Sequence, residues 1–236
     1  MAYTTRLGDQ NKGTFATMMA KGFGIVTVMN AKIYDVSTLP VETDKTSFFD
    51  GKTAEGVYSA LEDETPICTL DTLKVANVTQ EGPTKTISGG QYSNPLIKFG
   101  KSARLEMQDA LGRAAAIDAL CGGIAQYTAV TDGEINGLHF GEDFVGPKLI
   151  LGDSFFIDRE TGAQVPVNII FYQFLPDSIF NLTQDAEGDA TVFDMNGDLL
   201  TTVIQVPDKA GTGKLPHGLF YSILPGEPRE DTPTQG

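Results

Sequence analysis

The residues with the greatest potential for chemistry are Asp132 to Asp143, DGEINGLHFGED. Asp132, Glu134 and Asn136 stand at loop positions 1, 3 and 5, Gly137 at 6 and Asp143 at 12, the oxygen-donor spacing of an EF-hand-like calcium loop. Against that reading, position 12 is Asp rather than the usual bidentate Glu, position 8 is His139, and no amphipathic helix pattern flanks the loop. Other chemistry is thinner. Lys98-Phe99-Gly100-Lys101-Ser102 ends like a phosphate-binding loop, but Pro95 occupies the place of its first glycine, and a strand pattern follows where a helix N-terminus is needed. Gly211-Thr212-Gly213-Lys214 lacks a hydroxyl residue after its lysine. Carboxylates cluster at Glu142-Asp143 and at Asp185, Glu187 and Asp189, yet the chain has no tryptophan with which to build a sugar platform. His139 and His217 have no serine or cysteine at a recognisable catalytic spacing. Cys68 and Cys121 are isolated, with no C-x-x-C partner, and read as reduced, buried thiols. The sequence therefore predicts no enzyme and no cofactor, with calcium at residues 132–143 as the single metal candidate.

Charge narrows the partners. The chain has 236 residues, with 31 acidic against 17 basic side chains and a net charge of −14. A basic groove that neutralises phosphates is excluded, although a surface that nucleic acid slides past is not. The charge is uneven. Residues 125–205 hold 13 acidic and 2 basic side chains, whereas residues 74–113 set Lys74, Lys85, Lys98, Lys101, Arg104 and Arg113 against Glu81, Glu106 and Asp109. The opening MAYTTRLGDQNKGTF has no apolar signal region, and no run approaches the roughly 18 apolar residues of a membrane span. The expectation is a product of the cytoplasm with no membrane anchor.

The elements that must position these residues are mostly strands, and the 41% hydrophobic content can supply their core. Gly24–Met29 and Lys32–Val36 are β-branched and aromatic, separated by Asn30-Ala31. Leu73–Thr79 alternates, and so does Ser102–Gln108, which sends Ala103, Leu105 and Met107 one way and Ser102, Arg104, Glu106 and Gln108 the other. Phe155–Asp158 and Val165–Leu175 flank the turn Arg159-Glu160-Thr161-Gly162, and the run Val167–Leu175 suits a buried strand. Asn196-Gly197 predicts a two-residue hairpin between Ala190–Met195 and Asp198–Val206. One helix is predicted at about 109–121, capped by Asp109, with Leu111, Ala114, Ile117 and Cys121 on one face and Gly122-Gly123 as its stop. A weaker helix pattern covers Ala54–Asp63. From Pro207 onward the chain is rich in proline and glycine, and its last eleven residues, GEPREDTPTQG, read as a tail.

Residues 70–123, LDTLKVANVTQEGPTKTISGGQYSNPLIKFGKSARLEMQDALGRAAAIDALCGG, order a strand, a long Gly/Pro-containing loop, a G-K-x-x-x-L-E strand and a D-A-L-G helix. This order resembles the major tail tube proteins of tailed bacteriophages, and Ala186–Ala190 with Thr191–Asp198 is similar to the family's closing acidic turn and hairpin. The resemblance implies a mainly β, sandwich- or barrel-like fold with one packed helix, in which Asp109, Leu111, Gly112 and Ile117 belong. It divides the chain into an N-terminal arm (1–24), a single β-rich domain (25–206) and a C-terminal arm (207–236), with 37–69 as an insertion on the outer surface. It further implies hexameric rings stacked head to tail, the loop 79–95 reaching to the next ring through Gly82, Pro83, Lys85, Gly89, Gly90, Tyr92, Asn94 and Pro95. The partners it implies are the chain itself, tape measure, terminator, baseplate and sheath proteins, and phage DNA in transit without tight binding. The place implied is the virion tail, after synthesis in the bacterial host. The competing expectation is a calcium-dependent binding or adhesion domain built on Asp132, Glu134, Asn136 and Asp143.

An open stack needs a heterologous interface, one surface meeting a different surface of the next copy. A basic loop-and-strand segment beside an acidic C-terminal half suggests that neighbouring copies attract each other electrostatically.

Overall fold

The computed structural model describes residues 5–7, 12–21, 23–25, 28, 30–71, 73–82, 84–86, 96–98, 100–109, 114–127, 135–140, 144–158, 161–177, 193–208 and 213–228. The first half holds β1 (Thr5–Leu7), α1 (Lys12–Lys21), β2 (Phe23–Ile25), β3 (Asn30–Asp35), α2 (Ala54–Glu62), β4 (Cys68–Leu70), β5 (Leu73–Glu81), β6 (Thr84–Thr86), β7 (Leu96–Lys98), β8 (Ser102–Asp109) and α3 (Ala114–Cys121). The second half holds β9 (Gly123–Tyr127), β10 (Ile135–Phe140), β11 (Lys148–Asp158), β12 (Gln164–Pro176), β13 (Phe193–Leu199), β14 (Thr202–Pro207), β15 (Lys214–Leu219) and β16 (Tyr221–Pro228). The fold is mainly β and its strand pairs are antiparallel apart from one isolated bridge, as the alternating segments predict.

The organising unit is the long hairpin β11–β12. Its turn forms as the sequence predicts: the Gly162 N–H donates to the Asp158 carbonyl at 2.8 Å, and Gly162 takes φ = 70°, which glycine adopts without a Cβ clash. Each long strand has two neighbours along its outer edge. β11 pairs β3 from Lys148 to Asp153 and β2 from Phe156 to Asp158, while β12 pairs β16 from Val167 to Phe171 and β13 from Phe174 to Pro176. The main path through the sheet runs β4-β3-β11-β12-β13-β8-β5.

That path curls on itself. β4 ends at Leu70 and β5 begins at Leu73, yet the two strands terminate opposite ends of a seven-strand order. Laid flat, seven strands would span about 29 Å at ~4.8 Å per step. The three Cα steps from Leu70 to Leu73 can cover at most about 11 Å. The sheet therefore rolls toward a barrel, and the larger core fills it: Ile33, Leu70, Leu105, Met107, Ile150, Phe171, Phe174, Met195 and Leu199, closed off by Ala116, Ile117 and Leu120 of α3.

A second core lies on the other face of the same central strands. Leu149, Leu151, Ile170 and Tyr172 turn outward and meet Phe48, Phe49, Val57, Tyr58 and Leu61. β11 and β12 are thus buried on both faces, which is why Val167–Leu175 reads as a near-continuous apolar run. Residues 37–69, expected as an outer-surface insertion, supply six of the thirteen buried residues of this second core, and α2 forms where the weaker helix pattern lies. The Thr53 hydroxyl caps α2 by accepting from the Gly56 N–H at 3.2 Å. A third, small cluster seats α1 against the hairpin's turn end, with Phe15 stacked on Phe156 at 5.4 Å.

Three local expectations are corrected. Asn196-Gly197 is not a hairpin turn: β13 runs straight through it, Gly197 lying opposite Leu105 on one side and Pro176 on the other. Glycine serves close approach there, since a Cβ would lie 2.2 Å from the Leu175 carbonyl oxygen and 2.7 Å from the Phe174 ring. Asp109 does not cap the helix. It is the last residue of β8, 1% exposed and paired to both Leu73 and Phe193, and two ladders outcompete one cap. α3 starts later, at Ala114, and ends as predicted at Gly122, which has φ = 68°. Asn30-Ala31 does not separate two strands but lies within β3, paired to Asp153 and Gly152. Within the expected C-terminal arm, residues 214–228 form β15 and β16, and β16 lies directly beside the central β12. The expected N-terminal arm likewise contains β1, α1 and β2, with β1 paired to β16.

Candidate assembly surface

Two features stand apart from the core: a hairpin arm and a polar sheet face at its root. β5 and β8 pair from Leu73 opposite Asp109 to Glu81 opposite Ser102. β6 and β7 then continue the hairpin, with Thr84 opposite Lys98 and Thr86 opposite Leu96. The segment 79–95, expected to be a loop from Thr79 onward, therefore begins as paired strand, because the opposite arm supplies hydrogen-bond partners that local propensity does not reveal. Of the residues expected to reach a neighbour, Gly82 is exposed between β5 and β6, and Lys85 sits on β6. Pro83, Gly89, Gly90, Tyr92, Asn94 and Pro95 lie outside the described residues. Of the expected helix residues, Ile117 is buried against the larger core, while Leu111 and Gly112 lie outside the described residues.

The polar face belongs to β5, β8 and β13. The alternation in Ser102–Gln108 is borne out: Ala103, Leu105 and Met107 are buried, and their neighbours point the other way. Register places Thr79, Arg104 and Asp198 in one cross-strand row and Asn77, Glu106 and Asn196 in the next, with Gln108 beside Asp194. Two shallow cavities lie along these rows. One, of ≈ 270 Å³, includes Thr79, Glu81, Arg104 and Asp198 in its lining, and the other, of ≈ 390 Å³, includes Asn77, Gln108, Asp194 and Asn196. Glu106 lines both, so they form one polar groove across three strands.

Arg104 is the cation of this groove, and it is engaged. It is paired with Asp177, just beyond β12, through both terminal nitrogens, and Nη1 also donates to Asp198 Oδ1 at 3.2 Å. The hydrogen bond donated to Asp177, opposed by partial burial and aided by Asp198, raises the guanidinium pKa above its ordinary value. Asp177 is itself fixed, its N–H donating to the Asn196 carbonyl at 2.8 Å. The sequence marks Arg104 as an outward-facing member of a basic segment and does not single out Asp177 or Asp198 as its partners. The outward parity of Arg104 was legible, but its acidic partners lie 73 and 94 residues away.

Of the four calcium candidates, only Asn136 lies among the described residues. Asn136 lies on β10, whose strand runs from loop position 4 to position 9 and pairs with β9, so the middle of the loop is extended rather than wrapped around an ion. Asp132, Glu134 and Asp143 lie outside the described residues. Among the described residues, no group of three or more His, Cys, Asp or Glu side chains is placed to hold a metal. The thiols of Cys68 and Cys121 are buried in the larger core, and burial pushes Cys121 up to about 11, where it is not a nucleophile at neutral pH. His139 and His217 are on exposed strand positions. Among the described residues no helix is long and apolar enough to cross a membrane.

No known family model matches this chain, and no curated protein matches it in sequence.

Proposed function

We propose that the chain is a structural subunit of a bacteriophage tail tube, which stacks in rings around a channel for DNA. The observation that supports this reading best is the antiparallel arm formed by β5 with β8 and, between them in sequence, β6 with β7. Its outer half, β6–β7, is a separate two-stranded ribbon, and its root is a stave of the rolled sheet. A two-stranded ribbon is marginal by itself in water, so an arm of this kind is suited to dock on another copy. The polar face at its root carries Glu81, Glu106, Asp194 and Asp198, a surface that phosphates do not adhere to.

On this reading the partners are further copies of the chain, other tail proteins and DNA in passage, and the location is the virion tail. Negative-stain microscopy of concentrated purified protein tests it. Stacked rings with an axial channel are expected, and particles that stay monomeric at every salt concentration would count decisively against it. The calcium-dependent reading gains no observation from the strand that crosses its loop.

A further inference from the structure

Among the described residues that line the groove, Arg104 is the one cation beside four carboxylates, an anomaly if that groove is to leave DNA unbound. Guanidinium is the side chain best shaped to grip a phosphate, with a planar fork that gives two parallel hydrogen bonds. Arg104 is 39% exposed on its side chain, so solvent-borne anions can reach it. Three of its five N–H donors, those of the end-on fork, are however already directed at carboxylates. Asp177 takes both terminal nitrogens and Asp198, directly opposite across the ladder, takes one of them again.

We propose that Asp177 and Asp198 act as resident counter-ions that occupy the fork of Arg104, so that the β5–β8–β13 groove cannot hold the phosphates of a polynucleotide. This inference rests on the tail tube reading for its partner, DNA in transit, but the masking itself stands on the geometry of three side chains. The pairing of Arg104 with Asp198 alone would suffice to stabilise adjacent strands. The second carboxylate, Asp177, comes from a different strand end, whose backbone N–H is anchored on the Asn196 carbonyl. Two carboxylates on one guanidinium leave it with a net negative neighbourhood, reinforced by Glu106, which lies two residues along the same face.

The test is fluorescence anisotropy with a labelled DNA duplex at low salt, comparing two folded double variants of equal net charge. D177N/D198N frees Arg104, whereas E106Q/D194N removes two charges from the same groove and leaves the pair intact. The first is expected to bind the duplex about tenfold more tightly than the second, with the gain removed by adding R104Q and weakened by salt. Equal affinity of the two variants, or a gain that survives R104Q, overturns the proposal. Should the double variants fail to fold, D177N and D198N singly, each against D194N, give the same comparison with a smaller difference. Microscopy of the same preparations separates the two ideas. Absence of rings would sink the tube reading while the anisotropy still reports on Arg104. Ring formation with no difference between variants would sink only the masking.

Discussion

The ring of Phe174 lies where any side chain on residue 197 would have to stand: a Cβ built on Gly197 comes within 2.7 Å of it and within 2.2 Å of the neighbouring Leu175 carbonyl oxygen. β12 and β13 pair at Phe174 to Pro176, so this contact closes the sheet between its central hairpin and the β8–β5 arm. Gly197→Ala is therefore expected to destabilise the protein by on the order of 3 kcal/mol, through overpacking against backbone that cannot move aside. Urea unfolding measures it. A cost below about 0.5 kcal/mol, the scatter of ordinary surface changes, would show that Gly197 has room.

Lys148 and Asp35 form an ion pair of 2.5 Å at the point where β3 meets β11, and the lysine side chain is only 6% exposed. Burial pushes the Asp35 carboxyl up, but hydrogen bonds from Lys148 and from Ser37 outweigh it and hold the group below its ordinary 3.8. A carboxylate with a depressed folded pKa gives stability that is fully present above its unfolded value and is lost as pH falls through the folded one. Wild type should thus lose this contribution only below about pH 4. Asp35→Asn should cost about 3 kcal/mol at pH 7, by leaving Lys148 buried and unpaired, and should flatten the acid limb of the melting-temperature profile. An unchanged acid limb in the variant would assign the acid sensitivity to other carboxylates.

Phe49 is 2% exposed and packs edge-on against Tyr172, with ring centroids 6.0 Å apart. If residues 37–69 are integral to the core, Phe49→Ala should destabilise the whole domain by about 3–5 kcal/mol in one cooperative transition. A separate early transition, with the remaining domain unmoved, would mean that the segment is an appendage. Tyr172→Phe is milder. It removes the 2.6 Å bond donated to the Ser222 hydroxyl, at about 1 kcal/mol.

Replacing residues 87–95 by a two-residue turn should leave melting unchanged and abolish stacking, if the hairpin arm is what reaches the next copy. Scattering and microscopy read the two effects separately. Wild-type assembly should slow as salt rises through a few tenths molar, because exposed charge pairs are screened beyond a Debye length of about 10 Å at 0.1 M. Assembly promoted by salt would assign the docking to apolar contacts instead.

A calcium titration of thermal stability addresses the remaining alternative. A ligand bound only by the native state raises its melting temperature. With β10 running through the middle of the loop, no rise is expected at millimolar calcium. A saturable rise lost in Asp132→Asn would restore that site.

The charge asymmetry has a partly internal destination. The excess of carboxylate between residues 125 and 205 suggested attraction between copies, yet Asp177 and Asp198 from that region are spent on Arg104 of the basic segment in the same chain. The pairing was invisible in sequence because β12, β13 and β8 become neighbours only when the sheet is assembled.

Local pattern determined what local physics can determine. Alternation over Ser102–Gln108 assigned the buried and exposed faces of β8, the apolar run Val167–Leu175 announced a strand covered on both sides, and Gly162 and Gly122 marked a turn and a helix end through a positive φ. Tertiary structure decided the rest. Asn196-Gly197 has the composition of a turn and Asp109 that of a cap, but both sit between two paired strands, where cross-strand hydrogen bonds outweigh a preference worth about 1 kcal/mol. The same holds for Arg104: alternation placed it on the polar face, and only the rolled sheet brought it the two carboxylates that answer its charge.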